Sequence, residues 1–347
     1  MKAVLLHEFG GINKLKYEDF PISDPNTNEV LIKVHAVALN HLDLFVRRGI
    51  PGLRLEMPHI LGSDISGVIE RLGEGINPSI LSIGQKVVID PGLSCRICEF
   101  CCAGEISLCN KYQIIGEHRR GGYAEYITIP AENAIPIPES ASLSMIEAAA
   151  APLTFLTAWR MLMTRARLSL GEDVLIIGIG GGVALAALQI AQLMGSRTFV
   201  TSSSDEKLAK AKELGADYTI NYIENPDYHK IIWQYTNKRG VDVVVDSAGQ
   251  ATFERSLRSL RKGGRLVTCG ATTGFEARLN INLLFWRQFD ILGSSMGTRN
   301  ELREVLKFIW EGRLKPVVDR TLPLSDVQTA HQILEEGSQF GKIVMQP

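Results

Sequence analysis

Five of the six cysteines, Cys95, Cys98, Cys101, Cys102 and Cys109, fall within fifteen residues of a 347-residue chain. Four of them, Cys95, Cys98, Cys101 and Cys109, give the spacing Cys-x2-Cys-x2-Cys-x7-Cys. Four thiolates on one short loop can close a tetrahedron around Zn2+, which leaves no open position for water or substrate. The expected role is structural: one zinc per chain, whose binding energy is local folding energy. Cys102 breaks the regular x2 spacing and is expected to be a small packing residue, as is Cys269 at a strand end. Two disulfides in the cluster are the competing arrangement.

A second group of residues could hold a dinucleotide. The apolar run Val174–Ile177 leads directly into Gly178-Ile179-Gly180-Gly181-Gly182-Val183-Ala184. Glycines there allow a tight turn and close backbone approach to a pyrophosphate, and a following helix supplies N–H groups and a positive dipole end. The strict G-x-G-x-x-G spacing fails at Val183, but a G-x-x-G-x-x-A register fits Gly178, Gly181 and Ala184. Val183, Ala187, Ile190, Ala191 and Met194 then mark one helical face. The second strand ends Thr201-Ser202-Ser203-Ser204, with Lys207 soon after and no carboxylate where an NAD site keeps one. Hydroxyls and a lysine suit a 2′-phosphate, so NADP(H) is expected, with NAD(H) the alternative if Asp205 turns back to the ribose. Ser203 and Glu206 have capping-box spacing and are expected to start the next helix.

The elements that must position these groups fall into two styles. The N-terminal region reads as short strands bounded by Gly or Pro, such as 30–37, 65–72, 86–90 and 123–129. From about Leu170 strands alternate with helices, which implies a parallel sheet of the doubly wound kind. Helices at 301–311 and 325–336 and a last strand follow. The expected architecture is α/β, a Rossmann sheet (155–294) beside a β-rich domain made of 1–154 and 295–347 with a zinc lobe near 91–112. Two domains also suit the length at about 150 residues each. Lys and Arg number 37 against 38 Asp and Glu, a net charge of −1, which argues against nucleic-acid or acidic-membrane partners. The 22 residues 174–195 carry no charge, but their glycines disfavour a lipid-spanning helix. No secretory core begins the chain, and a cytoplasmic protein is expected.

Together these residues resemble the medium-chain dehydrogenase/reductase superfamily over essentially the whole chain. Besides the cysteine lobe and the glycine turn, Leu61-Gly62-Ser63-Asp64-Ile65-Ser66-Gly67-Val68 resembles the signature G-H-E-x-x-G-x-V, and Asn40-His41-Leu42-Asp43 resembles the segment of the first catalytic zinc cysteine. The resemblance implies a β-rich GroES-like catalytic domain. At the three catalytic-zinc positions this chain carries Asn40, Ser63 and Leu153, of which leucine cannot bind zinc and the others are poor ligands. The match moves toward the quinone oxidoreductase branch, whose Ala-Pro-x-x-x-x-Thr-Ala run resembles Ala151 to Ala158, and whose Lys and Tyr for the 2′-phosphate resemble Lys207 and Tyr222. Phe45 departs from the tyrosine often found near the substrate.

What the resemblance implies is hydride transfer to an activated ketone, enone or quinone. Without a Lewis acid, hydrogen-bond donors must hold the developing oxyanion, and Asn40 and Ser63 are the candidates, with Asp43 and Asp64 supporting the loops. The resemblance sets Thr157 against the nicotinamide and His41 and Lys342 against the pyrophosphate. Gly182, Val183, Ser247, Gly270 and Ser294 complete the expected cofactor set. A homodimer or homotetramer is expected. One alternative is an alcohol dehydrogenase with an unconventional zinc on His41, Asp43, Asp64, His59 or His118. The other is a cofactor-binding structural protein without turnover, as in crystallins of this branch.

Overall fold

Alternating apolar residues at 30–37 form the long strand Glu29–Ala38, which lies inside a seven-stranded, mostly antiparallel sheet. Its neighbours are Asp64–Leu72 on one side and the C-terminal strand Lys342–Gln346 on the other, with Tyr126–Pro130 also pairing to it. The structure, a computed structural model, describes all 347 residues, in two units: 1–153 with 298–347, and 154–297. The C-terminal segment thus belongs to the first unit. Its helix Val327–Glu336 buries Val327, Ala330, His331 and Leu334 in a core with Leu5, Leu44, Val46, Ile65 and Tyr123.

The second unit is built on a six-stranded parallel sheet. In space its strands run Tyr218–Asn221, Arg197–Ser202, Asp173–Ile176, Val241–Asp246, Leu260–Thr268 and Asp290–Gly293. In chain order that is 3-2-1-4-5-6, the Rossmann topology, with its switch point between the first and fourth strands. Val243, Val244 and Val245 pair with Val174, Leu175 and Ile176, so the centre of the sheet is a continuous apolar layer.

Two local expectations are corrected. Helix Gly182–Leu193 is buried on more than one face, with Ala184 to Leu188, Ile190 and Ala191 all inside, while Val183 and Met194 are half-buried. An alanine-rich helix without charges can be enclosed this way, which an i, i+4, i+7 pattern understates. The cap of helix Asp205–Glu213 is Ser204 rather than Ser203: the Ser204 hydroxyl accepts from the Lys207 N–H at 3.3 Å, and Ser203 is exposed.

Candidate active site, cofactor cradle and metal centre

Strand pairing gathers the first site. Asp64 and Lys342 begin their strands, and Asn40 lies just past the end of the strand between them. Antiparallel pairing of Ala38 with both Asp64 and Val344 sets those two beginnings beside that end. Lys342 Nζ donates to Asn40 Oδ1 at 2.5 Å and to Asp64 Oδ2 at 2.8 Å. Asn40 Nδ2 donates to the same Asp64 oxygen at 3.0 Å, and the Leu153 N–H donates to Asp64 Oδ1 at 2.7 Å. Asp64 is 0% exposed and Lys342 4%. Two of the three positions that the resemblance matches to catalytic-zinc ligands, Asn40 and Leu153, therefore both bind a buried ion pair. The Lys342 ammonium, which the resemblance sets against the pyrophosphate, has Asn40 and Asp64 as its protein partners. Ser63, the third position, is fully buried and its hydroxyl has no hydrogen-bond partner.

Asp43 fastens the loops around this cluster. One carboxylate oxygen accepts from the Asn40 N–H at 2.7 Å, and the other from the Gly62 N–H at 3.0 Å. It thereby ties the start of helix His41–Arg48 to the turn at Gly62, whose φ of +97° suits glycine. Burial pushes its pKa up to about 6, opposed by those N–H donors and by Lys342. Behind it lies a polar chain that the sequence reading missed. Tyr123 bonds Asp43 and approaches His331 Nε2 at 3.4 Å, while Arg47 reaches His331 Nδ1 at 3.1 Å and pairs with Glu335. Burial, then the Arg47 cation, holds the His331 pKa down at about 3, so the ring is neutral.

The residues of the unconventional-metal alternative are not gathered. His59 Nε2 faces the Gly116 carbonyl at 3.1 Å, His118 Nδ1 accepts from the Ile114 N–H, and His41 is exposed. Surrounding protein, then the cations of Lys342 and Arg48, lower the His41 pKa. The cysteines are gathered: the sulfurs of Cys95, Cys98, Cys101 and Cys109 all lie within 4.8 Å of one another, with Cys95 and Cys101 at 3.9 Å. Zinc–sulfur bonds of about 2.3 Å in a tetrahedron put sulfurs about 3.8 Å apart, so the set fits the ion. The Cys95 and Lys111 N–H groups donate to Cys109 Sγ, as donors around a metal thiolate do. Backbone N–H groups of Ile97 and Cys98 hold the Cys95 thiol down at about 6, while burial pushes the Cys101 thiol up to about 11. Cys102, expected to pack, is exposed, because its short helix Glu99–Cys102 is not covered at that position.

In the second unit the expected cofactor residues converge on one edge. Gly178, Ser202, Ser203, Tyr222, Ser247, Gly270 and Ser294 all lie at or just beyond the C-terminal ends of the six parallel strands. That edge, at the switch point, is where doubly wound sheets bind ligands. Gly178 and Gly180 have φ of +72° and +126°, and Gly181 caps the twelve-residue helix Gly182–Leu193. A Cβ on Gly178 or Gly181 would meet nothing within 4 Å, so the turn is open. A Cβ on Gly180 would stand 3.0 Å from Lys207 Cδ, which places the Lys207 side chain beside the turn. The open glycine turn, helix N-terminus and lysine fit a dinucleotide pyrophosphate and its neighbouring ribose. Thr157 is buried in helix Pro152–Trp159, and the buried Ser294 hydroxyl has no partner.

Residues 26–139 match the alcohol dehydrogenase GroES-like domain family, and residues 182–311 match the zinc-binding dehydrogenase family. A solved structure named NAD-dependent alcohol dehydrogenase superimposes with a TM-score of 0.96 at 46% identity, covering 100% of both chains. The zinc-type alcohol dehydrogenase-like protein YogA of Leptosphaeria maculans is 36% identical over 93% of this chain and 91% of its own. The quinone oxidoreductase of Rattus norvegicus is 29% identical over 99% and 97%. No helix is long and apolar enough to cross a membrane. The chain belongs to the medium-chain dehydrogenase/reductase superfamily and is an oxidoreductase of that family.

Proposed function

We propose that the chain is a cytosolic, NADP(H)-dependent reductase of activated ketones, enones or quinones that works without a catalytic zinc. The observation that carries this reading is the Asp64–Lys342 ion pair, bridged by the Asn40 amide and capped by the Leu153 N–H. A lysine ammonium beside Asp64 repels a dication and already uses the carboxylate such an ion would need. Bound nicotinamide supplies the hydride. The chain's part is to fix the carbonyl group and hold charge as it develops on oxygen. The buried Ser63 hydroxyl and the remaining Asn40 amide N–H are suited to donate there. Donors of this kind, each worth about 3–4 kcal/mol when well placed, favour a substrate that is already electrophilic. The test is NADPH oxidation across a panel of ketones, enones, quinones and simple aldehydes, alongside zinc analysis. Turnover of activated substrates with one zinc per chain is expected. Two zincs per chain, or no turnover anywhere on the panel, would overturn the proposal.

Preference for the 2′-phosphate rests on Lys207, Ser203 and the absence of an acid at the strand end. Asp205, the first carboxylate after the strand end, accepts from the Asn221 amide at 2.8 Å. A charge-assisted bond is worth about 1.5–3 kcal/mol, so Lys207→Ala should raise the KM for NADPH roughly tenfold. The KM for NADH should change less than twofold, and equal changes for both cofactors would contradict the assignment. The solved relative carries NAD in its name, so this measurement decides the matter for this chain.

We also propose that a second copy of the chain is the partner. Asp290–Gly293 is an unpaired edge of the sheet, and Phe275, Ile281, Phe285 and Trp286 are each more than 60% exposed in the segment preceding it. Bare edge strands and apolar patches of this kind are ordinarily covered. Light scattering should return at least twice the chain mass, and Trp286→Glu should lower it. A monomer in the parent protein would remove the proposal.

A further inference from the structure

We propose that His331 is a positioning residue for the oxygen-binding donors Asn40 and Ser63. It relays hydrogen bonds in one direction, from Arg47 through Tyr123 to the Asp43 carboxylate that fixes both donors. This rests on the reading of Asn40 and Ser63 given above and goes beyond it by naming what sets their spacing. All of these residues lie in the first unit.

The direction follows from which atoms can donate. A guanidinium has only donors, so Arg47 Nη1, at 3.1 Å, must donate to His331 Nδ1. The ring is neutral, its pKa held low by burial and then by Arg47, so its single N–H sits on Nε2. That N–H faces Tyr123 Oη at 3.4 Å, which leaves the phenol proton for Asp43. An ionised carboxylate only accepts, and here it also takes the Asn40 and Gly62 N–H groups, one on each oxygen. His331 and Tyr123 are 0% exposed and Arg47 1%, so water offers no substitute partner. Arg47 is itself fixed by Glu335 and by the Gly10 carbonyl at 3.2 Å.

Asp43 carries this order to the site. Its two oxygens bridge the Asn40 N–H and the Gly62 N–H, and Ser63 follows Gly62 directly. Tyr123 also lies against that turn, since a Cβ on Gly62 would stand 2.4 Å from its Cδ1. Were the phenol donor lost, burial would shift Asp43 further toward its protonated form. A carboxylic acid holds backbone N–H groups less firmly than a carboxylate does. Lys342 of the last strand opposes that protonation, whereas Arg47 and Asp64 act on Tyr123 with opposite signs. Asn40 and Ser63 would then no longer be held to one spacing, which donors to a developing oxyanion require.

The test compares Tyr123→Phe, which keeps the ring against Gly62 and removes only the hydroxyl, with His331→Leu and His331→Gln. The Gln amide can accept from Arg47 and donate to Tyr123, whereas Leu can do neither. With an enone or quinone that the parent turns over, kcat should fall about tenfold in Tyr123→Phe and His331→Leu, equal to about 1.4 kcal/mol of barrier. The Kd for NADPH should stay within about twofold. The acid limb of kcat against pH should move up by about half a unit in Tyr123→Phe, because Asp43, near 6 in the parent, then protonates sooner as the pH falls. His331→Gln should recover most of the rate. Hydrogen exchange, read by mass spectrometry without substrate, should quicken around Asn40 and Gly62 in Tyr123→Phe and His331→Leu and not in His331→Gln. Should His331→Leu fail to fold, Tyr123→Phe carries the test. If His331→Gln is as slow as His331→Leu, or if Tyr123→Phe keeps the parent's kcat and acid limb, the inference fails. A parent that turns over nothing on the panel sinks the metal-free reading instead. Hydrogen exchange then decides the positioning by itself, and protection unchanged in all three variants overturns it.

Discussion

Replacing Asp64 by alanine is expected to lower the stability of the first unit by about 3–5 kcal/mol, the usual loss when one member of a buried ion pair is removed. Asp64 is fully buried and Lys342 nearly so. The variant would leave an ammonium in a low-dielectric pocket with only the Asn40 amide oxygen to face, and would strip the Leu153 N–H and the Asn40 amide of their acceptor. Desolvation of the stranded charge dominates, because the pair gained little net energy over water while it was whole. For a unit of this size the change corresponds to a thermal midpoint lower by roughly 10 °C. Scanning calorimetry or circular dichroism reads it directly. The double variant Asp64→Asn/Lys342→Met should recover most of the loss, since no charge is then stranded. A fall of under 3 °C in Asp64→Ala would mean that water reaches the pair.

That pair also shows where the sequence stopped being legible. The cysteine spacing, the glycine turn and the strand runs are local patterns, so each could be read from a window of some twenty residues. Asn40 and Asp64 could be singled out because they sit inside recognisable segments. The pairing of Lys342 with them could not be read, because Lys342 is separated from Asn40 by 302 residues and joins it only through the antiparallel register of the last strand with Glu29–Ala38. The Arg47–His331 contact spans 284 residues and was missed for the same reason. A signal did exist: a lysine opening a terminal apolar strand, Lys342-Ile343-Val344-Met345, is unusual in a residue run otherwise fit for a core. Propensity alone also misplaced the cap at Ser203, since three consecutive serines offer the same hydroxyl and only backbone geometry selects Ser204. The parallel sheet followed from the alternation of strand and helix, whereas helix Gly182–Leu193 proved more enclosed than its pattern implied.

Cys98→Ser should reduce zinc from about one per chain to near zero and unfold the lobe around it, while leaving nicotinamide-cofactor affinity unchanged. The reason is that the lobe has almost nothing else to hold it. Between Ser94 and Leu108 no side chain is buried; Ile97 is 83% exposed and Leu108 52%. Its regular structure is one turn of helix at Glu99–Cys102, a 3-10 turn at Ile106–Leu108 and a two-residue pairing of Gly92–Leu93 with Gln113–Ile114. Such a segment cannot offset the conformational entropy of ordering it by apolar burial, at about 1–2 kcal/mol per residue. Zinc bound to four thiolates can, because apparent binding energies in small zinc modules reach about 10–16 kcal/mol at neutral pH. Atomic emission gives the metal content, and limited proteolysis should cut Cys98→Ser within residues 94–108 while the parent resists. A chelator should reproduce the cleavage in the parent, whereas a reducing agent should not, which separates a metal cluster from a pair of disulfides. Cys102→Ser, altering an exposed sulfur outside the cluster, should keep both zinc and protease resistance. Full zinc occupancy in Cys98→Ser would show that the ion is held by another set of ligands.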